Sequence, residues 1–185
     1  GGAVLAIETM KYVFSTVLLA LLMLSAPNQT LAARTIDPGS VWITGTLGPR
    51  SVFGSRVGGS ETYLNLGAEA EYTLQSNLGL TGGLSYGLAG SSIWRLHTGV
   101  RHELYNLDSP LSFHGRADLF AGQVRGALGA NLQQLGLGLG VSADYNLTRA
   151  LTARLSMLVD LGSTLGERPA SFNTFTMLVA VSHKI

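Results

Sequence analysis

From Leu135 to Leu161 the chain alternates with a period of two, and nothing else in the sequence limits its fold as strongly. Leu135, Leu137, Leu139, Val141, Ala143, Tyr145 and Leu147 occupy every second position, with Gly136, Gly138, Gly140, Ser142, Asp144 and Asn146 between them. After Thr148-Arg149 the alternation resumes: Leu151, Ala153, Leu155, Met157, Val159 and Leu161 against Thr152, Arg154, Ser156, Leu158 and Asp160. Successive side chains of a strand point to opposite faces. The segment therefore predicts a long β-hairpin, one face apolar, the other small, polar or charged. Each arm has ~11 residues or more, the length a tilted strand needs to cross a bilayer.

The 185 residues suffice for one domain. Only 12% are charged, against roughly a quarter in a soluble domain, and mean hydropathy is +0.29. That is too little charge to cover an ordinary wet surface. After residue 33 no apolar run approaches the ~20 residues of a spanning helix, so low charge points to strands that cross a membrane. The formal net charge of +1, with no basic run, gives no reason to expect nucleic acid. The absence of cysteine excludes a disulfide framework, thiolate metal sites and a lipid-anchored N-terminal Cys.

Residues 1–9 precede the first Met and read as an upstream remnant. Residues 10–33 read as a secretory signal peptide: Lys11, an apolar run from Tyr12 to Leu24, Ser25-Ala26-Pro27, then Ala32-Ala33. The apolar core of ~12 residues is too short to span a bilayer, which predicts cleavage near Ala32 or Ala33. Residues 34–39 form a turn-like lead-in.

Residues 40–185 contain eight alternating segments, at about 40–48, 62–74, 78–88, 93–105, 111–122, 135–147, 151–161 and 173–185. The expected fold is an all-β, eight-stranded antiparallel up-and-down transmembrane β-barrel with both ends in the periplasm. Tight turns are expected around Gln75-Ser76-Asn77, Asn106–Pro110 and Thr148-Arg149. The opposite rim has connections at Pro49–Glu61, Ala89–Ser92, Gln123–Asn131 and Ser163–Ser171, three of them longer. Short turns on one rim and longer loops on the other is the outer-membrane asymmetry.

A soluble lipocalin-like barrel also alternates, but with its apolar phase inside. Two features favour apolar residues facing lipid. The strand charges fall almost entirely in the other phase and nearly balance: Glu69, Glu71, Glu103, Asp118, Asp144 and Asp160 against Arg95, Arg101, Arg116, Arg154 and Lys184, with His97 and His114 among them. Aromatics of the apolar phase fall near strand ends, Tyr86, Trp94 and Phe175 towards the outer rim and Tyr72, Phe113 and Tyr145 towards the periplasmic one, as two interfacial girdles. His102 and His183 share the apolar phase close to the periplasmic ends of their strands.

This pattern resembles the small eight-stranded outer-membrane barrels, the family of OmpX and of the membrane domain of OmpA. The resemblance covers about Ser40–Ile185 and rests on alternation, not on a diagnostic motif. It implies insertion by the β-barrel assembly machinery, delivery by periplasmic chaperones, a monomer in contact with outer-membrane lipid and lipopolysaccharide, and a lumen filled with side chains. Such barrels usually end in an aromatic residue, whereas this sequence ends in Ile185, and the peptidoglycan-binding domain of full-length OmpA has no counterpart here.

Across the turn near Asn106–Pro110, residues whose numbers sum to about 215 are expected to face each other, setting His97 near Asp118, Arg101 near His114 and Glu103 near Ser112. Asp144 is expected near Thr152 or Arg154, and Arg101 to reach past Gly79 to Glu69 or Glu71. Opposite charges buried together need pairing, so the first expectation is a structural charge network in a non-enzymatic barrel with a structural or surface-interaction role. The alternatives are a narrow pore or small-ligand conduit, an outer-membrane lipid-modifying enzyme built on His97 or His114 with Asp118 or Glu103 and a Ser, and the soluble lipocalin-like binding barrel. No cofactor and no metal is expected, since histidines on separate strands lack a third converging ligand. Arg50, Arg56, Glu61, Arg125, Glu167 and Arg168 are assigned to outer loops, where basic residues suit lipopolysaccharide phosphates. Arg101→Ala is accordingly expected to cost more stability than Arg168→Ala.

Overall fold

Eight alternating strands joined by short connections satisfy all their backbone hydrogen bonds when they pair in sequence order and the first meets the last. The computed structural model describes residues 37–54, 59–88, 94–106, 110–125, 131–165 and 169–185. Within them run β1 (Val41–Gly54), β2 (Gly59–Gln75), β3 (Leu78–Leu88), β4 (Trp94–Asn106), β5 (Leu111–Arg125), β6 (Asn131–Asn146), β7 (Leu151–Thr164) and β8 (Ser171–Lys184). Each pairs antiparallel with the next, and β1 pairs with β8 to close the barrel, so no edge remains exposed. The segments assigned to the upstream remnant and the signal peptide lie outside the described residues. Of the lead-in, Asp37, Pro38 and Gly39 are described. Gly39 takes φ +85°, and its N–H donates to the Thr73 carbonyl at 2.7 Å, tying the lead-in to β2.

Three hairpins run further than the alternation suggests. Pro49 does not end β1: it pairs with Leu64, and the β1–β2 ladder continues to Gly54 opposite Gly59. On its other side the β1–β8 register passes from Leu47↔Val179 to Arg50↔Thr176, with Gly48 and Pro49 omitted. Proline has no N–H to donate there. A Cβ on Gly48 would lie 1.9 Å from the Met177 carbonyl oxygen, so only glycine permits that approach. β5 and β6 likewise extend to Arg125 and back to Asn131, and β7 and β8 to Thr164 and Ser171. Much of what reads as outer loop is therefore hairpin.

The β4–β5 register differs by two residues from the expectation. His97 faces Phe120, Arg101 faces Arg116, and Glu103 faces His114. Two things shift it: Pro110 cannot donate within a ladder, so pairing begins beyond it, and the register steps between Glu103 and Tyr105. This bulge at Leu104 reverses the phase below it, so Leu104 and Tyr105 are both exposed on the outer wall.

The core is the barrel lumen. Leu47, Leu66, Leu84, Leu96, Leu119, Leu137, Val159 and Val181 all face outward, each 44–59% exposed. The alternate positions, including nearly every strand charge, are buried inside. In water such a belt would far exceed the few hundred Å² of contiguous apolar surface that soluble proteins tolerate. In hydrocarbon it is the expected coat of a transmembrane barrel. The arrangement is the inverse of a lipocalin.

Candidate functional site

The lumen is where this molecule concentrates its chemistry. Strand phase sends Glu69 and Glu71 inward from β2, Arg95, His97 and Arg101 from β4, His114, Arg116 and Asp118 from β5, Asp144 from β6, and Arg154 and Asp160 from β7. Their partners come from across the barrel. Arg50 Nη2 donates to Asp160 Oδ2 at 2.7 Å, and Arg95 Nη2 to Asp160 Oδ1 at 2.9 Å. Arg95 also stands 3.7 Å from Asp118, whose Oδ2 accepts from Arg116 Nε at 2.7 Å. Arg116 reaches on to Glu69, which also accepts from His97 Nε2 at 3.2 Å and Arg154 Nη1 at 3.3 Å. Arg154 then contacts Glu71 at 3.1 Å and Asp144 at 3.0 Å. Arg101 closes the series against Glu71 at 3.1 Å and Asp144 at 2.7 Å.

The result is one connected ladder of alternating sign along the lumen, in which five guanidiniums meet five carboxylates among the described residues. Isolated buried ions would be costly, and mutual pairing with further hydrogen bonds is what makes their burial tolerable. Hydroxyls and amides complete the wall. Thr174 donates to Asp160 at 2.8 Å, Thr152 donates to Asn146 at 2.9 Å, and Thr44 and Ser182 share a 2.8 Å hydrogen bond.

Several expected sites take different positions. Lys184 does not enter the ladder: its Nζ donates to Asp37 at 2.8 Å at the rim near the termini, with 27% of its side chain exposed. The last position of a closing strand has no further barrel above it to bury a charge. Arg50 moves the other way, from assigned loop to 2% exposure inside. The signal was present, since Arg50 continues the inward phase of Trp42, Thr44 and Thr46 once Pro49 is read as part of the strand. Glu61 lies in β2 opposite Val52. Arg125 ends β5, and Arg56, Glu167 and Arg168 lie outside the described residues. Glu103 is half-buried, facing His114 across the ladder.

The enzymatic alternative has definite geometry to answer to. Ser112 Oγ and His114 Nε2 are hydrogen-bonded at 2.9 Å. Both residues are 2–3% exposed within the lumen, away from any lipid-facing surface where a lipid substrate would approach. His97 is engaged by Glu69, not by Asp118. No cluster of three metal-ligating side chains occurs among the described residues.

Towards the rim remote from the termini, apolar rings take over from the charges, with Gln134 and Thr164 buried among them. Val52 and Tyr63 pack with Leu132, and Phe120 meets Phe172 edge-on with centroids 6.2 Å apart. The Arg95 guanidinium lies 4.7 Å over the Phe120 ring, within cation–π range. On the outer wall Tyr72, Tyr86, Trp94, Phe113 and Phe175 are 36–46% exposed, while Tyr145 is half-buried. Trp94 Nε1 donates to Gln123 at 3.0 Å. Phe53 and Tyr105 are also exposed on this wall; extension of β1 brings out the first and the Leu104 bulge the second.

No protein-family model matches this sequence, and no curated protein does so either. Solved structures do. Neisserial surface protein A superposes with TM-score 0.58 at 13% identity, covering 78% of this chain and 97% of that one. The N-terminal β-barrel domain of Pseudomonas aeruginosa OprF gives 0.57 at 15%, covering 80% and 98%. Yersinia pestis Ail, in complex with the heparin analogue sucrose octasulfate, gives 0.51 at 10%, covering 80% and 100%. At these identities the likeness is one of fold: this chain has the closed eight-stranded transmembrane β-barrel fold that these small outer-membrane proteins share.

Proposed function

We propose that the protein is an integral outer-membrane barrel whose lumen is a structural plug, and that it acts as a non-enzymatic scaffold presenting its outer hairpins at the cell surface. The observation that carries this reading is the unbroken ladder from Arg50 to Arg101 inside an apolar belt. A conduit needs a continuous wet path, whereas here guanidiniums and carboxylates bridge the lumen from wall to wall, and Phe120, Phe172 and Tyr63 pack beyond them. Eight strands enclose little more than side chains.

On this reading the chain is exported by its N-terminal signal segment, escorted by periplasmic chaperones and inserted by the β-barrel assembly machinery as a monomer. Outer-membrane lipid and lipopolysaccharide then surround the belt.

The test combines three measurements. Expression from Met10 should give an outer-membrane band whose gel mobility shifts on boiling, the behaviour of a closed, detergent-resistant barrel. Brominated lipids should quench Trp94, which is 40% exposed on the outer wall, and spare Trp42, which is 1% exposed in the lumen. Planar bilayers containing the protein should show no steady conductance. A soluble periplasmic product without a mobility shift would overturn the location, and stable channels would overturn the plug.

A further inference from the structure

The ladder between β1 and β8 differs from the other seven. Those join strands that follow one another in the chain, whereas β1 and β8 stand at the two ends of the barrel sequence and meet at a seam that no turn connects. The register is the same on either side of a gap, with Leu47↔Val179 before it and Arg50↔Thr176 after it, so Gly48 and Pro49 stand opposite Leu178 and Met177 unpaired. Among the described residues no other ladder is interrupted in mid-wall: the register steps at Thr73/Gln75 and Glu103/Tyr105 lie near the rim that holds the termini.

The gap removes a hydrogen bond where a replacement is hard to find. Successive residues of an antiparallel strand turn their N–H and C=O to opposite neighbours. The Ile185 N–H donates to the Val41 carbonyl at 3.0 Å, so odd-numbered residues of β1 serve β8, and position 49 is the one that would donate to the Met177 carbonyl. Proline cannot. Leu47, Leu64, Met157 and Phe175 surround this point and are exposed on the outer wall, within the belt where hydrocarbon supplies no substitute donor. Behind it lies a lumenal cavity of about 30 Å³, whose lining includes Thr46 and Arg50 of β1 and Thr176 and Leu178 of β8. Gly48 adds no side chain to close it. On one side of the gap Thr44 and Ser182 bridge the seam at 2.8 Å, and on the other Arg50 reaches across it to Asp160 of β7 at 2.7 Å.

We propose that the barrel opens sideways at the β1–β8 seam, between the Thr44–Ser182 and Arg50–Asp160 contacts, and that this opening gives the lumenal cavity a route into the bilayer. Parting the strands there unravels no hairpin, since the chain does not turn between them. The missing donor at Pro49 leaves one ladder bond fewer to break, and the cavity behind leaves little packing to displace. The inference concerns the wall of the barrel and stands whether or not its hairpins present a partner at the cell surface.

The test is amide hydrogen exchange and thiol labelling of the refolded full chain in lipid nanodiscs. By the alternation above, the Leu47, Ser51 and Val179 amides bond across the seam beside the gap. They should exchange about tenfold faster than those of Leu139 and Val159, which pair at mid-belt between β6 and β7. The sequence has no cysteine, so Thr176→Cys places a single thiol on the cavity lining. Uncharged N-ethylmaleimide dissolved in the bilayer should label it, and a charged maleimide in the water should not. Pro49→Ala restores the donor and should slow both seam exchange and labelling by about tenfold, with Leu139 and Val159 unchanged. Should that variant not fold, Thr44→Val, which removes the hydroxyl bonded to Ser182 at nearly constant size, should quicken both. Seam amides no faster than those of β6 and β7, labelling by the charged reagent at an equal rate, or rates indifferent to these substitutions would overturn the proposal.

Discussion

The two halves of the lumen solve the same filling problem with different chemistry. Nearer the termini the interior is ionic and hydroxylic, with Glu71, Arg101, Asp144 and Arg154 tied together and ringed by Thr44, Asn146, Thr152 and Ser182. Nearer the opposite rim it is largely aromatic and aliphatic, and each ring is seated over a glycine of a neighbouring strand. A Cβ on Gly87 would lie 2.6 Å from the Tyr63 ring, one on Gly136 2.7 Å from Phe120, and one on Gly162 2.4 Å from Phe172. The ionic half depends on charge balance as well as on space, since a Cβ on Gly79 would lie 2.9 Å from Glu71 Oε1 and one on Gly99 2.3 Å from Asp118 Oδ1. The aromatic half depends on shape, because close-packed interiors register even a single added methyl.

That contrast can be broken by substitution, and urea unfolding of the refolded barrel is the common measurement. Asp144→Ala should have the largest effect. It removes a fully buried carboxylate that holds both Arg101 and Arg154, and loss of one partner from a buried ionic group costs about 3–5 kcal/mol. Arg101→Ala belongs in the same class, since Glu71 and Asp144 each lose a guanidinium. A loss below that of a surface pair would remove the electrostatic account of this half.

Gly136→Ala comes next, at about 1–3 kcal/mol for overpacking. Its new methyl would meet the Leu161 carbonyl oxygen at 2.3 Å as well as the Phe120 ring, and backbone cannot swing aside as a flexible side chain can. If Phe120→Leu in the same chain fully restores stability, the ring is the obstacle; if not, the backbone is.

Lys184→Ala should cost less than about 1 kcal/mol, because Lys184 and Asp37 pair at a solvated rim, and added salt should erase the difference from the parent. An unfolding midpoint equal to that of Arg101→Ala would mean that burial does not separate the two arginine and lysine sites. Gly45→Ala should be smallest, within about 0.5 kcal/mol of the parent, since a Cβ there meets nothing within 4 Å. This outward glycine is the control for the seated ones.

Much of this was legible in the chain itself, and the exceptions share causes. Strand number, order and inward phase follow from alternation, which is local, so Trp42, Phe120 and Leu158 are recognisable as interior residues although they are apolar. Arg50 was hidden by Pro49, which reads as a breaker but pairs on one side only. Tyr105 was hidden by a bulge, because one extra residue reverses every side chain beyond it. Lys184 kept its phase but ran out of barrel.

The period of two, then, determined by itself which residues face lipid and which face the lumen, because backbone pleat is a property of each residue and its immediate neighbours. Hairpin spacing anticipated two lumenal meetings, Arg101 with Glu71 and Asp144 with Arg154, but not those between strands far apart in the chain. Arg50 finds Asp160 across 110 residues and Arg154 finds Glu69 and Glu71 across 85 and 83. Those meetings depend on the stagger between strands accumulated around a closed barrel. A turn that shifts one register by two residues moves every partner beyond it, so the pairing of charges between distant strands exists only in the closed tertiary structure.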